Sequence, residues 1–255
     1  MNLNLSFRTP KAGESASNHI QNASVTRRFF PRSSLEMTHK FGSYGFLYSE
    51  LTFNQKSDLR TPMNDLLNLH EPARLSAILA ETKALGFDMP SEPLTGALLR
   101  ALAASKPSGH FLELGSGTGI ATAWILDGMD AGSRLTSLDN NAILTECVKR
   151  HLGADSRLTL VCADGDVFLP TLSGQRFDFI FADTWPGKYH LLDETLALLK
   201  PGGLFVIDDM LPQANWPAGH PENVVRLIAK LEELPHFKVV KLSWASGIII
   251  ATKTA

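Results

Sequence analysis

Phe111-Leu112-Glu113-Leu114 runs directly into Gly115-Ser116-Gly117-Thr118-Gly119. A short apolar run that stops at closely spaced glycines reads as a buried strand ending where the backbone must approach something closely. The amides of the helix that follows point at the same place. Asp139 closes the next apolar run, 20 residues beyond Gly119 (139 − 119). In parallel α/β folds that spacing puts a carboxylate where the ribose hydroxyls of a nucleotide lie. Turn chemistry alone explains neither three glycines nor two strand-end acids.

The spacing separates two cofactor classes. A dinucleotide site needs G-x-G-x-x-G; here the third glycine comes one place early and Ile120 stands where it belongs. Glu113 precedes the loop, and a carboxylate there repels a pyrophosphate. The same carboxylate suits the charged amino-acid end of S-adenosylmethionine (SAM).

From Met63 onward the pattern predicts helices over 72–85, 93–104, 119–128, 141–152, 166–172, 188–199 and 220–234. It predicts strands over 110–114, 134–139, 158–162, 177–183, 203–208, 237–242 and 248–253. Breaks at Gly132, Gly153, Gly174, Pro201-Gly202-Gly203 and Pro235 support this division. Strands alternating with helices imply a parallel sheet covered on both faces. Ser243–Gly247 leaves no room for a helix, so the last two strands should form an antiparallel hairpin at a sheet edge.

The first 62 residues differ from the rest. They carry eight Lys/Arg and four Asp/Glu, a charge of +4, against sixteen and twenty-two, a charge of −6, for residues 63–255. No sustained helical or strand period runs through them. Arg27, Arg28 and Arg32 among serines and phenylalanines give residues 23–35 the composition of an organelle transit peptide. Translated sequence upstream of a start at Met63, or an arm over the active site, would account for the stretch as well. The expectation is a poorly ordered, dispensable extension over 1–62, then one domain over 63–255. The net charge of −2, with an acidic second part, argues against nucleic acid or an anionic membrane surface as partner. No apolar run approaches the ~20 residues of a membrane-spanning helix. Cys147 and Cys162 fall in predicted helix and strand and read as core thiols. That suits a reducing, cytoplasmic setting, with organelle targeting by residues 1–62 left open.

In a doubly wound sheet the ligand sits beyond the carboxyl ends of the strands. Glu113, Asp139, Asp164, Asp183 and the pair Asp208-Asp209 all fall at or just past predicted strand ends, so they should converge on one crevice. Any one of them alone is more commonly a solvated loop acid. Asp139 is placed to accept from both ribose hydroxyls, and Asp164 from an adenine amino group. Asp183, Asp208 and Asp209 offer three oxygen ligands for a hard divalent cation such as Mg²⁺. Equally, Asp183 meets the cofactor's ammonium while Asp208 and Asp209 cap the next segment.

On these residues the chain resembles the class I SAM-dependent methyltransferases, and among them the small-molecule O-methyltransferases of the catechol and caffeoyl-CoA type. The resemblance rests on Leu112–Gly119, Leu138-Asp139-Asn140, Asp164–Pro170, Phe177–Tyr189 and Leu199–Asp209, and covers roughly residues 90–255. It implies SAM as methyl donor. It implies a Rossmann-like doubly wound α/β fold with a seven-stranded sheet, mostly parallel with an antiparallel last strand. By matched position Glu113, Gly115, Ser116, Gly117 and Gly119 hold the methionine part. Asp139 and Asn140 take the ribose, Asp164 and Gly165 the adenine side, and Trp185 packs on the cofactor. Asp183, Asp208 and Asp209 match the family's magnesium ligands. Two departures stand out. The family's Asp-Asn pair is here Asp208-Asp209, and the family's general-base lysine position is Pro186. Lys188, His190 and His220 are the titratable candidates that remain.

The implied reaction is methyl transfer to a hydroxyl of a small, aromatic molecule, assisted or not by a divalent ion that lowers the hydroxyl pKa. Met210–Pro217 is the expected acceptor wall, with Trp216 to stack on a flat ring. The competing expectations are a metal-independent methyltransferase using Lys188 or a histidine on another acceptor, and a non-catalytic SAM-binding protein. Pro72–Leu85 carries an apolar face, either for a second copy in a homodimer or for its own domain.

Overall fold

The computed structural model describes Asp65 and residues 69–255, so the extension expected over 1–62 lies outside the described residues. Two helices lead in, α1 (Leu75–Leu85) and α2 (Pro93–Ala104). Then β1 (His110–Leu114), α3 (Ile120–Gly128), β2 (Arg134–Asp139), α4 (Ala142–Leu152) and β3 (Leu158–Cys162) build the first half of the sheet. The second half is α5 (Gly165–Phe168), β4 (Phe177–Ala182), α6 (Leu192–Ala197), β5 (Leu199–Ile207), α7 (His220–Glu233), β6 (Phe237–Leu242) and β7 (Ile248–Lys253).

The strands form one seven-stranded sheet in the order β3-β2-β1-β4-β5-β7-β6. β1 pairs in parallel with β2 and β4, and β7 runs antiparallel to both β5 and β6. The expected reversed strand and hairpin are both there. The order changes direction between β1 and β4, which is where a crevice opens in such sheets.

Alternation along the central strands sorts the core into two layers. Phe111, Phe179 and Phe181 face α1, α2 and α3, against Leu75, Leu99, Trp124 and Ile125. Leu112, Leu114, Ile180 and Ala182 face the other way, against Leu196 on α6 and Val224, Leu227 and Leu231 on α7. Each large apolar side chain so buried contributes about 1.5–3 kcal/mol.

Three expectations are corrected. The helix predicted over 188–199 is only α6, and residues 188–191 form a loop. Gly187 and Leu191 both take left-handed backbone (φ 82° and 51°), which a continuous helix forbids. β5 begins at Leu199 rather than 203, passing through Pro201-Gly202-Gly203 in a bulge that shifts its register on β4 between Phe177 and Phe179. Cys147 is buried as expected, but Cys162 is exposed; β3 is an edge strand whose residues are only partly covered.

Candidate active site

The glycine loop is closed onto β2. Gly115 and Ser116 donate to the Leu138 carbonyl at 2.8 and 3.0 Å, and Gly117 donates to Asp139 Oδ2 at 2.9 Å. Asp139 also accepts from the Asn141 amide at 2.9 Å. Two lone-pair sites of four are thus used, and the half-buried carboxylate keeps acceptor capacity for a diol. Gly115 has φ 91°, and a Cβ there would lie 2.7 Å from the Asp183 carbonyl oxygen. The loop therefore needs glycine for both its conformation and its close passage to β4. Asn140 is exposed beside Asp139, and Asn141 caps α4 by accepting from Ile143 and Leu144.

Glu113 sits under the loop rather than in the open crevice. It is fully buried, accepting from Thr122 Oγ1 at 2.6 Å and from Ser137 Oγ. Burial pushes its carboxyl up to about 7 against the pull of those two hydroxyls. Its Oε1 has no partner. Ser137 and Thr122 escaped the sequence reading, since neither carries a motif of its own.

Asp164 is exposed and caps α5 through the Asp166 amide at 2.8 Å. A Cβ on Gly165 would meet Pro186 at 2.5 Å, so the β3 end and the loop after β4 touch there. His190 is exposed and pairs with Asp166 at 3.0 Å, which puts it at this end of the crevice.

The remaining acids gather past β4 and β5. Asp183 is half-buried and accepts from Ser91 Oγ at 3.3 Å. Desolvation, then the Asp208 and Asp209 charges, raise its carboxyl well above the ordinary aspartate range, against the opposing charge of Lys188. Asp208 is buried, accepting from Ser246 Oγ and from the Asp209 amide at 2.7 Å. Burial raises its carboxyl too. Asp209 takes left-handed backbone (φ 62°). Its Oδ1 accepts from Trp216 Nε1 at 2.5 Å and its Oδ2 lies 3.3 Å from His220 Nε2.

Lys188 fills the space behind these acids. It is 2% exposed, and its Nζ donates to the Asp208 carbonyl at 2.7 Å. Burial draws its ammonium below the lysine range, while Asp183, Asp209 and Asp208 hold it up. Pro186 carries no charge; Lys188, two residues further on, brings a cation into this space. The loop makes this possible, because the amides of Lys188, Tyr189 and His190 all turn onto the Trp185 carbonyl at 2.8–3.2 Å.

Aromatic rings wall this end. Trp216 stacks on His220 at 4.3 Å, Tyr189 meets His220 edge-on at 5.4 Å, and half-buried Trp185 meets Tyr189 edge-on at 5.7 Å. His220 is buried, with Nε2 3.0 Å from the Tyr189 hydroxyl and Nδ1 unpartnered. Burial and the Lys188 charge lower its pKa, so the ring is neutral at neutral pH.

A divalent ion needs ligand oxygens facing one point. Among the described residues, the donor atoms of Asp183, Asp208 and Asp209 do not gather within 4.8 Å of one another. Their carboxylates are turned to Ser91, Ser246, Trp216 and His220, with a lysine among them. This arrangement does not fit the ion.

Residues 112–210 match the methyltransferase domain family. A protein of Mycolicibacterium vanbaalenii whose name gives O-methyltransferase as an inferred activity is 28% identical over 139 residues. That match covers 51% of this chain and 62% of the relative, less than two thirds of its length. A similarly named protein of Mycobacteroides abscessus is 26% identical over 212 residues, 76% of this chain and 97% of its own. The O-methyltransferase TomG from Streptomyces achromogenes, involved in tomaymycin synthesis and solved with SAM, shares the fold. Its TM-score is 0.65 at 20% identity, covering 74% of this chain and 93% of that one. Residues 112–210 thus carry a methyltransferase domain, and in its sheet order, the glycine loop after β1 and the acid ending β2 the chain is similar to proteins named as O-methyltransferases.

Proposed function

We propose that this protein moves a methyl group from SAM to a hydroxyl of a small aromatic molecule, with the buried Lys188 ammonium as the fixed cation of the site in place of a divalent ion. Bound SAM supplies a methyl group activated by its sulfonium. Asp139, with two acceptor sites left, is suited to the ribose diol. The glycine loop makes room for the methionine part, and Asp164 and Gly165 border the adenine side.

The acceptor hydroxyl must lie in line with the methyl group and lose its proton. Asp183 stands beside the glycine loop at the mouth of the crevice. Its raised proton affinity is closer to that of a phenol than an ordinary aspartate's, which suits a general base. Lys188 offsets the negative charge that gathers when Asp183 and the acceptor oxygen share one proton. Trp216, held by Asp209 and stacked on His220, offers a flat wall for a ring. His190 drops out of this mechanism because its partner is Asp166.

The observation that carries the proposal is the Lys188 Nζ anchored on the Asp208 carbonyl among three carboxylates. Methyl transfer to a monohydroxy phenol, a catechol and an aliphatic alcohol, with and without a strong chelator, tests it. S-adenosylhomocysteine should bind where NAD does not, and turnover of a phenol should survive the chelator. Turnover that disappears with chelator and returns with Mg²⁺ restores the metal mechanism. Failure to bind S-adenosylhomocysteine removes the methyltransferase activity altogether.

A further inference from the structure

Glu81 on α1 and Cys147 and His151 on α4 take no part in the crevice chemistry. Cys147 and His151 are four residues apart and share one face of α4. Glu81 reaches them from α1, its Oε2 2.7 Å from His151 Nε2. One donor atom from each of the three lies within 4.8 Å of the other two. A thiol sulfur, an imidazole nitrogen and a carboxylate oxygen are the donor set of zinc, leaving a fourth tetrahedral position for water. Magnesium, which takes oxygen ligands, is excluded by the same set.

We propose that Glu81, Cys147 and His151 form a zinc site that pins α1 to α4 behind the glycine loop and thereby couples zinc to cofactor affinity. Two features oppose an ion and both yield. Arg150 also holds Glu81, Nη2 to Oε1 at 2.5 Å, but its side chain is 54% exposed and moves into water at little cost. Burial and the Glu81 charge push the Cys147 thiol up to about 11, so binding must release its proton to the solvent as the sulfur–zinc bond forms. The proton between His151 Nε2 and Glu81 Oε2 must likewise leave to solvent or be replaced by one on Nδ1 as the nitrogen–zinc bond forms. The carboxylate that disfavours a free thiolate attracts the cation that replaces the proton.

The link to the cofactor is short. Cys147 Sγ contacts the Thr118 carbonyl at 3.6 Å, and Thr118 Oγ1 lies 2.7 Å from Thr82 Oγ1 on α1. Thr118 belongs to the glycine loop itself. Fixing α1 and α4 around it orders the loop before the cofactor arrives, which is positive coupling between two sites.

The test uses the full chain with the exposed thiol removed (Cys162→Ser) as background, and Co²⁺ as a visible stand-in for zinc. One equivalent of Co²⁺ should produce a thiolate charge-transfer band and tetrahedral ligand-field absorption, both discharged by Zn²⁺ and unaffected by Mg²⁺. Cys147→Ser and His151→Gln, checked for native circular dichroism, should each lose the band; the glutamine keeps a hydrogen-bonding side chain at Glu81 if the serine variant fails to fold. Zinc should tighten S-adenosylhomocysteine binding about fivefold or more in the background chain, by calorimetry, and not in His151→Gln. No band in the folded background chain, or a band that survives Cys147→Ser, overturns the site. A band with unchanged S-adenosylhomocysteine affinity overturns the coupling.

Discussion

Asp183 is one of three aspartates past the ends of β4 and β5, and its environment separates it from the other two. Asp208 is buried and Asp209 is held by Trp216 and His220, whereas Asp183 borders the glycine loop with one long hydrogen bond from Ser91. Asp183→Asn should lower kcat by about 10²–10⁴, with S-adenosylhomocysteine affinity changed only a few-fold by calorimetry. A base must be deprotonated, so wild-type kcat should fall as pH drops through its raised pKa. The Lys188 charge lowers that pKa. Lys188→Met should therefore move the acid limb of the pH–rate profile upward, and a limb that stays in place would assign the proton to another group. Glu113 gives a stability prediction. Its carboxyl is raised from 4.5 to about 7 by burial, so the folded state holds a proton that the unfolded chain has lost. Its stabilising contribution is complete below pH 4.5 and disappears as pH rises to about 7, roughly 3 kcal/mol in all. Denaturant melts of Glu113→Gln should show that slope flattened between pH 4.5 and 7; an unchanged slope would put the effect elsewhere.

Elements decide where those residues point. The sequence reads Lys188 to Leu191, just past Pro186-Gly187, as the start of a helix. Instead the chain turns on itself, with Gly187 donating to the His190 carbonyl at 2.7 Å, so that Lys188 enters the interior while His190 faces out. Gly187 is the hinge of that turn: its φ is 82°, and a Cβ would lie 2.3 Å from Leu114 Cδ1. Gly187→Ala should cost about 1–3 kcal/mol in thermal or denaturant unfolding. It should also reduce kcat, because Lys188 and Tyr189 move with the turn. The strands were more legible than this loop. Five of the seven have the predicted bounds, since a buried strand announces itself by a local run of apolar residues. β5 starts earlier than its apolar run, because Pro201-Gly202-Gly203 reads as punctuation yet the sheet absorbs it as a bulge.

At the scale of the molecule, the reversal of strand order between β1 and β4 opens one crevice, and the carboxyl ends of both halves of the sheet face it. No helix among the described residues is long and apolar enough to cross a membrane. The residues from 69 onward contain all the elements of the sheet and both core layers. A chain starting at Met63 should therefore fold cooperatively and bind S-adenosylhomocysteine as the full chain does. Lost affinity with intact folding would give residues 1–62 a part in the site.

The sequence by itself determined the order of strands and helices, the glycine loop, and the placing of acids at strand ends, because each is written in a few adjacent residues. It did not determine what those acids touch. Ser91 meets Asp183 across 92 residues and Ser246 meets Asp208 across 38. Trp216 and His220 close on Asp209, whose backbone takes a left-handed turn. The tertiary structure alone decided that Lys188 lies inside and His190 outside, two residues apart. Burial and charge at a site are sums over neighbours brought together by folding, and no local pattern carries them.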